Sequence, residues 1–463
     1  MLLEERINLA HTAVKREDFN KALVILRDAS NQEPDHPAIL YLLGLSFRGL
    51  GHTAVAMQLF RRSLALLPSK ANIWLHYGAC LHDLNKYDEA REAFLHVHKE
   101  FPQDPQPISN IASGFTQLGR NREAIEWANR AIAIEPDNRV ARIAKGFSSL
   151  SLGRWTDGWE YLRDLYGETL EVRIYTPAGE PEWDGEPWKT VVVQCEQGVG
   201  DQIMFSQCLE EMKARSEEVI VECAPRMVRY FERNFGVKAY GTLKQKMADW
   251  PAKHKIDAHT HISFLGKWFR NRDTDFPRKA YITPDPERLA KWKDWLKKFP
   301  RPWVGLSWKG GIPQTNMQSR SVRVEDYAPI MELPGTFFDM SYDPSDLEVA
   351  RWNIENRTQI VKPPIDTADY EDTISLTAAL DDVVTVTTTL AHVCGALGRH
   401  AYVLVPHATQ WRYAYRVDDG KGIVWYPKGS ISLYRQANGE EGFGHTINRI
   451  KGDMQKISTL RAA

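Results

Sequence analysis

An acidic residue follows a glycine turn in the stretch QCEQGVGDQIMF, residues 194–205. The preceding run TVVVQ is apolar and β-branched, which predicts a buried strand that ends at this turn. Gly198 and Gly200, with Gln197 beside them, would let backbone amides approach a bound group. Asp201 then stands where a helix should begin. Its carboxylate either caps that helix or acts as a general base towards a bound hydroxyl group.

A second candidate site lies in VVTVTTTLAHVCGALG, residues 383–398. A buried strand is predicted to run into Thr387, Thr388 and Thr389, after which a helix of small residues begins. Hydroxyl groups and backbone amides at a helix N-terminus can bind an anion such as a diphosphate, although a threonine N-cap is the alternative. His392 lies one turn further along the same face, a position more typical of a packed, hydrogen-bonded histidine.

Two cations form the third candidate site, in VGLSWKGGIPQTNMQSRS, residues 304–321. Lys309 directly follows a predicted strand, and Arg320 lies further along in a polar loop. Both could neutralise a leaving pyrophosphate, the arginine through two parallel hydrogen bonds. The alternative is that both are solvated loop residues. The length of the loop at 311–322, at the carboxyl end of a strand, favours a functional role.

Two further patterns are weak evidence for a metal site. Asp273 and Asp275 form a DxD in the apparent loop NRDTDF, away from the other candidate residues. His259 and His261 share one face of a predicted strand but lack a third ligand. We therefore expect no metal site.

Composition and charge narrow the class of protein. A chain of 463 residues with 43% hydrophobic and 26% charged residues should fold into two or three globular domains. The formal net charge of -1 gives no basic field for nucleic acid or an anionic membrane. We expect no membrane span, no signal peptide and a cytoplasmic location. The scattered cysteines fit reduced core thiols: Cys80, Cys195, Cys208, Cys223 and Cys394.

The first third of the chain repeats itself at an interval of 34 residues. Prolines recur at this interval, and so do two sets of small residues: Pro34, Pro68, Pro102 and Pro136; Ala10, Gly44, Gly78, Ala112 and Gly146; Ala22, Ala56, Ala90, Ala124 and Gly158. Paired helices that cross closely need short side chains at a fixed phase, and the pattern resembles the tetratricopeptide repeat. We predict four repeats at about 3–138 and a degenerate fifth at 139–168, whose Trp155 and Trp159 seal the end of the array.

After the array (1–168) and a proline-rich linker (169–189), short apolar runs alternate with helical patterns. The predicted strands are 191–195, 219–223, 237–240 and 256–263, then 303–308, 336–342, 359–361, 383–386 and 402–405. The predicted helices are 201–214, 225–235 and 286–299, then 324–332, 344–355, 372–380 and 388–397. This alternation predicts two Rossmann-like lobes, 190–300 and 301–463, that face a cleft and bind ligands at the strands' carboxyl ends. Ile203 replaces the third glycine of a dinucleotide fingerprint, which argues against a dehydrogenase.

Taken in order, these stretches resemble tetratricopeptide-repeat proteins fused to a GT-B glycosyltransferase module of the heptosyltransferase type, related in layout to O-GlcNAc transferase. The stretches that carry the resemblance are GRWTDGWEYL, PEWDGEPWKTVVVQCEQGVGDQIMF, VGLSWKGG with NMQSRS, DTISLTAALDDVVTVTTTLAHVCGALG, VLVPHATQWRY and VWYPKGSISLYRQ. The implied fold is an all-α tetratricopeptide superhelix followed by an α/β GT-B module.

The resemblance also implies an activity and its residues. The enzyme would transfer a sugar with inversion and without a metal ion, from a nucleotide-sugar, with UDP-sugar favoured, to a hydroxyl group on a protein, glycan or other acceptor. Asp201 would be the general base, beside the glycine loop of Gln197, Gly198 and Gly200. Donor binding would fall to Lys309, Arg320, Thr387, Thr388, Thr389 and His392. Relatives usually read D-T-A-x-A-H from position 387, so Thr387 replaces a customary aspartate.

Other interpretations remain open. Loss of that aspartate fits a non-catalytic scaffold that kept the GT-B shape. An enzyme that glycosylates hydroxylated bases in nucleic acid is another alternative, against which the near-neutral charge argues. The array itself could bind a partner or serve as a structural or dimerisation arm, so a homo-oligomer is left open.

Overall fold

The computed structural model describes residues 2–166, 179–195, 198–242, 250–311, 317–342, 345–437, 440 and 442–462. The chain divides into two compact units, Met1–Ser149 and Leu150–Ala463. The division therefore falls within the fifth repeat, which the sequence pattern places with the array. Among the described residues, none of the helices combines the length and apolar character needed to cross a membrane.

Paired helices form the N-terminal part of the chain. They are α1 Leu3–Lys15, α2 Phe19–Gln32, α3 Pro37–Gly49, α4 Thr53–Leu66, α5 Ala71–Asp83, α6 Tyr87–Glu100, α7 Pro105–Gln117, α8 Asn121–Ile134, α9 Arg139–Ser151 and α10 Trp155–Tyr166. The first helix of each pair begins at residue 3, 37, 71, 105 or 139, and the second at 19, 53, 87, 121 or 155. The predicted repeat is thus confirmed.

The turns within the pairs contain a residue in the left-handed region. The φ angles are +83° at Gly51, +62° at Asn85, and +72° at both Gly119 and Gly153. The first pair has Glu17 at the equivalent position with φ of 59°, an exception to the preference for glycine or asparagine.

Small residues in the array admit large rings from the partner helix. A Cβ atom built at Gly44 would lie 2.6 Å from Cε1 of Phe60, and one at Gly78 would lie 2.8 Å from Cε1 of Phe94. The fourth repeat has Ala112 and Ala128 at the corresponding positions, in one buried cluster. The larger side chain on one helix is therefore matched by a smaller one on the other.

The second unit contains two parallel sheets. The first sheet has the order β3-β2-β1-β4, with β1 Thr190–Gln194, β2 Glu218–Cys223, β3 Lys238–Gly241 and β4 Ala258–His261. Its helices are α11 Val199–Ser206, α12 Leu209–Lys213, α13 Val228–Phe235 and α14 Leu265–Phe269. The helix predicted at 201–214 is therefore two shorter helices.

The second sheet has the order β10-β9-β8-β5-β6-β7. Its strands are β5 Trp303–Ser307, β6 Thr336–Asp339, β7 Ile360–Val361, β8 Asp382–Val386, β9 Ala401–Val405 and β10 Ile431–Arg435. The accompanying helices are α15 Pro286–Leu296, α16 Ala328–Met331, α17 Asp346–Glu355, α18 Tyr370–Ala379, α19 Thr389–Leu397, α20 Trp411–Ala414 and α21 Gly444–Ala462. The sequence pattern did not predict β10, α20 or α21, and the helix predicted at 324–332 is a 3₁₀ turn, Val324–Tyr327, followed by α16.

The strand order explains where a ligand would bind. In the second sheet β5 pairs in parallel with β6 on one side and with β8 on the other, so the chain reverses its winding between β5 and β8. In doubly wound α/β folds ligands occupy the crevice at the carboxyl ends of such strands. Lys309 follows β5 and Thr387 follows β8, so both lie at this edge.

Tryptophans from α10 are buried in the second unit. Trp159 is 3% exposed, and its indole N–H donates to the Arg270 carbonyl over 2.7 Å. Its ring contacts those of Phe205, Trp411 and Trp425. These contacts explain why α10 belongs to the same compact unit as the sheets.

Candidate functional site

Asp201 is not the N-cap of its helix. The cap is Gly198, α11 begins at Val199, and the Asp201 N–H donates to the Gly198 carbonyl over 2.9 Å. The carboxylate lies in the first turn, is 16% exposed and accepts a hydrogen bond from Nε of Arg412. The capping interpretation is therefore wrong, and Asp201 instead belongs to an ion pair.

Arg412 comes from α20, which follows β9 of the second sheet. It lies 211 residues from Asp201 along the chain, and its side chain is 13% exposed. Its guanidinium also lies 4.9 Å from the centre of the Trp411 ring. The ion pair thus joins the glycine turn of the first sheet to the segment beyond a strand of the second.

The first turns of α11 and α19 meet at Gly200. A Cβ atom built there would lie 2.9 Å from Cδ2 of His392 and 3.4 Å from Oγ1 of Thr389. Glycine is required because any side chain would press on the second helix. Since each helix N-terminus carries a partial positive charge, their proximity favours a bound anion. Gly198 has no described atom within 4 Å of such a Cβ.

The threonines after β8 have distinct local roles. Thr388 is the N-cap of α19, and its Oγ1 accepts from the Leu390 N–H over 3.3 Å and bonds to Oγ1 of Thr385. Thr387 is buried, and its Oγ1 accepts from Nε of Arg320 over 3.1 Å. A second guanidinium nitrogen of Arg320 donates to the Thr387 carbonyl. Thr387 therefore orients Arg320.

Arg320, Arg412 and Asp201 influence one another electrostatically. Burial is the main cause that lowers the pKa of Arg320; Tyr413 and Asp201 oppose this shift and Arg412 adds to it. A guanidinium nevertheless stays charged at neutral pH. Two guanidinium groups and one carboxylate leave the cluster with a net positive charge, which again favours an anion.

His392 is a neutral, fully bonded residue. Its Nδ1 lies 2.7 Å from the Tyr426 hydroxyl, and its Nε2 lies 2.9 Å from the Tyr413 hydroxyl. Burial lowers the pKa of His392 to about 4, although Asp201 opposes this shift. The ring therefore adds no positive charge at neutral pH. It positions Tyr413, whose hydroxyl also donates to the Thr388 carbonyl over 3.5 Å.

Lys309, which was also predicted from the sequence, follows β5. Lys309 forms an ion pair with Glu348 of α17 over 2.9 Å, and the Trp308 indole donates to the same carboxylate. The Gly310 N–H donates to Oγ of Ser321 over 3.0 Å, which holds the end of β5 beside the Arg320 segment. Gln197 lies outside the described residues.

The carboxylates of the DxD stabilise local structure. Asp273 accepts hydrogen bonds from the Trp155 indole and the Tyr415 hydroxyl. Asp275 accepts from the backbone N–H groups of Asn271 and Arg272. Across the described parts of the chain, no cluster of three or more His, Cys, Asp or Glu residues could hold a metal ion.

A cavity of about 670 Å³ lies at the opposite edge of the second sheet. Its lining includes Trp303, the first residue of β5, and Asp381, which precedes β8. None of the predicted site residues lines it. The cavity is therefore separate from the cluster at the carboxyl ends of the strands.

Sequence reasoning missed Arg412, Tyr413 and Tyr426. The first two follow β9, so the rule that sites lie at the carboxyl ends of parallel strands could have drawn attention to them. Nothing in the sequence pairs Arg412 with Asp201, because that contact depends on how the two sheets pack.

A match to a family model supports the repeats. The family model "Anaphase-promoting complex, cyclosome, subunit 3" matches residues 15–97. "Protein FlbA" of Caulobacter vibrioides is 24% identical over an aligned length of 489 residues, and the alignment covers 86% of this chain and 82% of that protein. A solved structure of MamA from Desulfovibrio magneticus RS-1 is 20% identical, with a TM-score of 0.32 over 36% of this chain and 92% of that one. Another MamA crystal structure is 16% identical, with a TM-score of 0.32 over 39% and 98%. The family match and the helix pairs identify tetratricopeptide-type repeats.

Proposed function

We propose that the chain is an inverting glycosyltransferase of GT-B type that needs no metal ion and uses Asp201 as its general base. One observation carries the proposal: Asp201, Arg320 and Arg412 converge with the N-termini of α11 and α19 at the carboxyl ends of parallel strands. A site with this charge suits a diphosphate beside a carboxylate, as a nucleotide-sugar and an acceptor hydroxyl require.

The donor would lie against the second sheet. Its diphosphate would accept hydrogen bonds from the first turn of α19 and from Arg320, which Thr387 holds in place. Lys309 remains a predicted donor contact, although here it pairs with Glu348. We keep the UDP-sugar as the favoured donor because of the sequence resemblance.

The reaction would proceed in one displacement. The acceptor oxygen forms a bond to the anomeric carbon while the bond from that carbon to the diphosphate breaks. Asp201 takes the hydroxyl proton, and the nucleoside diphosphate leaves with the bonding electrons. Fixed helix amides and guanidinium groups stabilise the charge on the departing oxygen.

The repeat array would bind the acceptor. Tetratricopeptide-type repeats present extended surfaces suited to protein partners. A protein acceptor, or a glycan carried on a protein, therefore fits better than a hydroxylated base in nucleic acid, which the net charge of -1 does not favour.

The alternative is a non-catalytic scaffold. Thr387 stands where relatives of the resembled family carry an aspartate, and it is occupied in binding Arg320. A chain that lost its donor site would keep the same packing without turnover.

Assays with UDP-, ADP- and GDP-sugars test the proposal. We expect transfer or donor hydrolysis with at least one donor. Asp201→Ala should reduce this rate by roughly 10²-fold or more, because a general base is lost, while nucleotide still binds. Asp326→Ala is the matched control, since Asp326 also pairs with an arginine, Arg323, but that arginine is largely exposed.

Two results would contradict this function. No turnover with any donor, together with no thermal shift by any nucleotide, would favour the scaffold. Equal loss of nucleotide binding and turnover in Asp201→Ala would make Asp201 a structural residue. Arg320→Ala should raise the Michaelis constant for the donor, and an unchanged constant would remove Arg320 from the donor site.

A further inference from the structure

The ion pair between Asp201 and Arg412 occupies one oxygen of the carboxylate that is proposed as the general base. A general base must present a carboxylate oxygen to the acceptor hydroxyl group. In this structure Nε of Arg412 donates to Oδ1 of Asp201, and both side chains are largely buried. The carboxylate of Asp201 is therefore paired with Arg412 at the place where it should accept a proton from the acceptor hydroxyl group.

Arg412 lies between two residues that cannot easily move. Trp411 is buried against the rings of Trp159 and Phe205. Tyr413 is buried and bonded to Nε2 of His392. The backbone is thus anchored on both sides of Arg412, and its long side chain is the part that can change partner.

The charge of Arg320 favours a change of partner by Arg412. The two guanidinium groups are close enough to repel each other, and both are attracted to the single carboxylate of Asp201. A diphosphate brings at least two negative charges and accepts parallel hydrogen bonds from arginine. When a diphosphate binds, each guanidinium group can pair with a phosphate group and no longer depends on the carboxylate of Asp201.

We propose that Arg412 exchanges partners: it releases Asp201 and binds the donor's diphosphate, so that donor binding frees the base. This inference rests on the proposed function. It makes binding ordered, donor before acceptor, because the base is available only when the diphosphate is in place.

Calorimetric titration of UDP, GDP and ADP, without a sugar, tests the exchange. The proteins are wild type, Asp201→Asn, Arg412→Gln and the double variant. Asp201→Asn should bind the diphosphate about tenfold more tightly, because a neutral amide competes less strongly than a carboxylate for the Arg412 guanidinium. Arg412→Gln should bind about tenfold more weakly, and Arg412→Lys less weakly than that, since it keeps the charge and loses the parallel bonds.

The double variant is decisive. If the exchange is correct, Asp201→Asn gives no gain when Arg412 is already replaced, so the double variant binds like Arg412→Gln. The same gain in both backgrounds would show a general effect of removing a negative charge and would overturn the exchange. Asp326→Asn, at the exposed pair with Arg323, should leave the affinity unchanged.

The remaining outcomes separate the two proposals. If a diphosphate binds wild type and Asp201→Asn equally, the exchange is wrong while the glycosyltransferase proposal survives. If none of the three diphosphates binds wild type, both proposals are overturned. Circular dichroism and thermal melting of each variant show whether it is folded, and Arg412→Lys carries the test if Arg412→Gln does not fold.

Discussion

In the helical array, Gly44 admits the ring of Phe60, and one repeat later Gly78 admits the ring of Phe94. In the α/β region, Gly200 admits the ring of His392, and this contact is not part of a repeat. Each of these three glycines lets two helices approach closely. In the array the two helices belong to one repeat, whereas α11 follows a strand of the first sheet and α19 follows a strand of the second.

The two regions therefore differ in how their contacts are encoded. An array contact is repeated, so one substitution weakens one of several similar interfaces. The candidate site depends on contacts such as Asp201 with Arg412, 211 residues apart, and Arg320 with Thr387, 67 residues apart. No neighbouring copy can replace these contacts. Three predictions test this contrast, from the largest expected effect to the smallest.

Trp159→Ala should destabilise the α/β region by about 3–5 kcal/mol, because it removes a buried ring and leaves a cavity among Phe205, Trp411 and Trp425. The matched variant in the array is Trp127→Ala. Trp127 is only partly buried, and the Arg130 guanidinium lies 4.1 Å from the centre of its ring. Urea unfolding followed by circular dichroism should show a clearly smaller loss for this variant. Equal losses would contradict the contrast.

Acid should weaken both regions through buried histidines. Burial lowers the pKa of His392, and that of His76 in the array, to about 4 in each case. Above pH 6.5, the usual pKa of histidine in an unfolded chain, both rings are mostly neutral in the folded and the unfolded chain. In that range the two histidines do not lower the free energy of unfolding. As the pH falls towards the folded value, protons bind the unfolded chain preferentially, and stability is lost.

For His392 this loss should be about 2 kcal/mol between pH 7 and pH 5. His392→Gln should remove that part of the pH dependence, as measured by urea unfolding at both pH values. His76→Gln provides the array counterpart, since His76 stacks on Phe60. A pH dependence that survives both replacements would assign acid sensitivity to other groups.

Gly78→Ala should cost the array roughly 1–2 kcal/mol, because the new methyl group would press on the Phe94 ring. Phe94→Leu should relieve part of this cost, since the fourth repeat already packs Ala112 with Ala128. A double-mutant cycle, measured by urea unfolding, should therefore show a favourable coupling between the two changes. Additive effects would mean that the ring can move away without cost.

Much of the fold was predictable because its signals are local. The helix pairs follow from the 34-residue interval, and the left-handed turns follow from Gly51, Asn85 and Gly119. Most strands of the parallel sheets were visible as short apolar runs. The strand Ile431–Arg435 was missed because polar residues interrupt ISLYR and its burial depends on pairing with β9.

The candidate site was predictable only in part. The strand-end rule indicated Asp201, Lys309, Arg320 and the three threonines. It did not indicate that Thr387 holds Arg320, nor that both nitrogens of His392 bond to tyrosines. These contacts join groups on separate segments of the chain, whose spacing along the sequence carries no signal.

The sequence by itself determined the repeat period, the alternation of strands with helices, and the kinds of side chain at the strand ends. Each of these depends on the conformational preferences of a few neighbouring residues. Only the tertiary structure decided that Asp201 meets Arg412 and that burial lowers the pKa of His392 to about 4. Pairing and protonation depend on the charges and burial that distant segments bring to a side chain, because electrostatic interactions act through space and not along the chain.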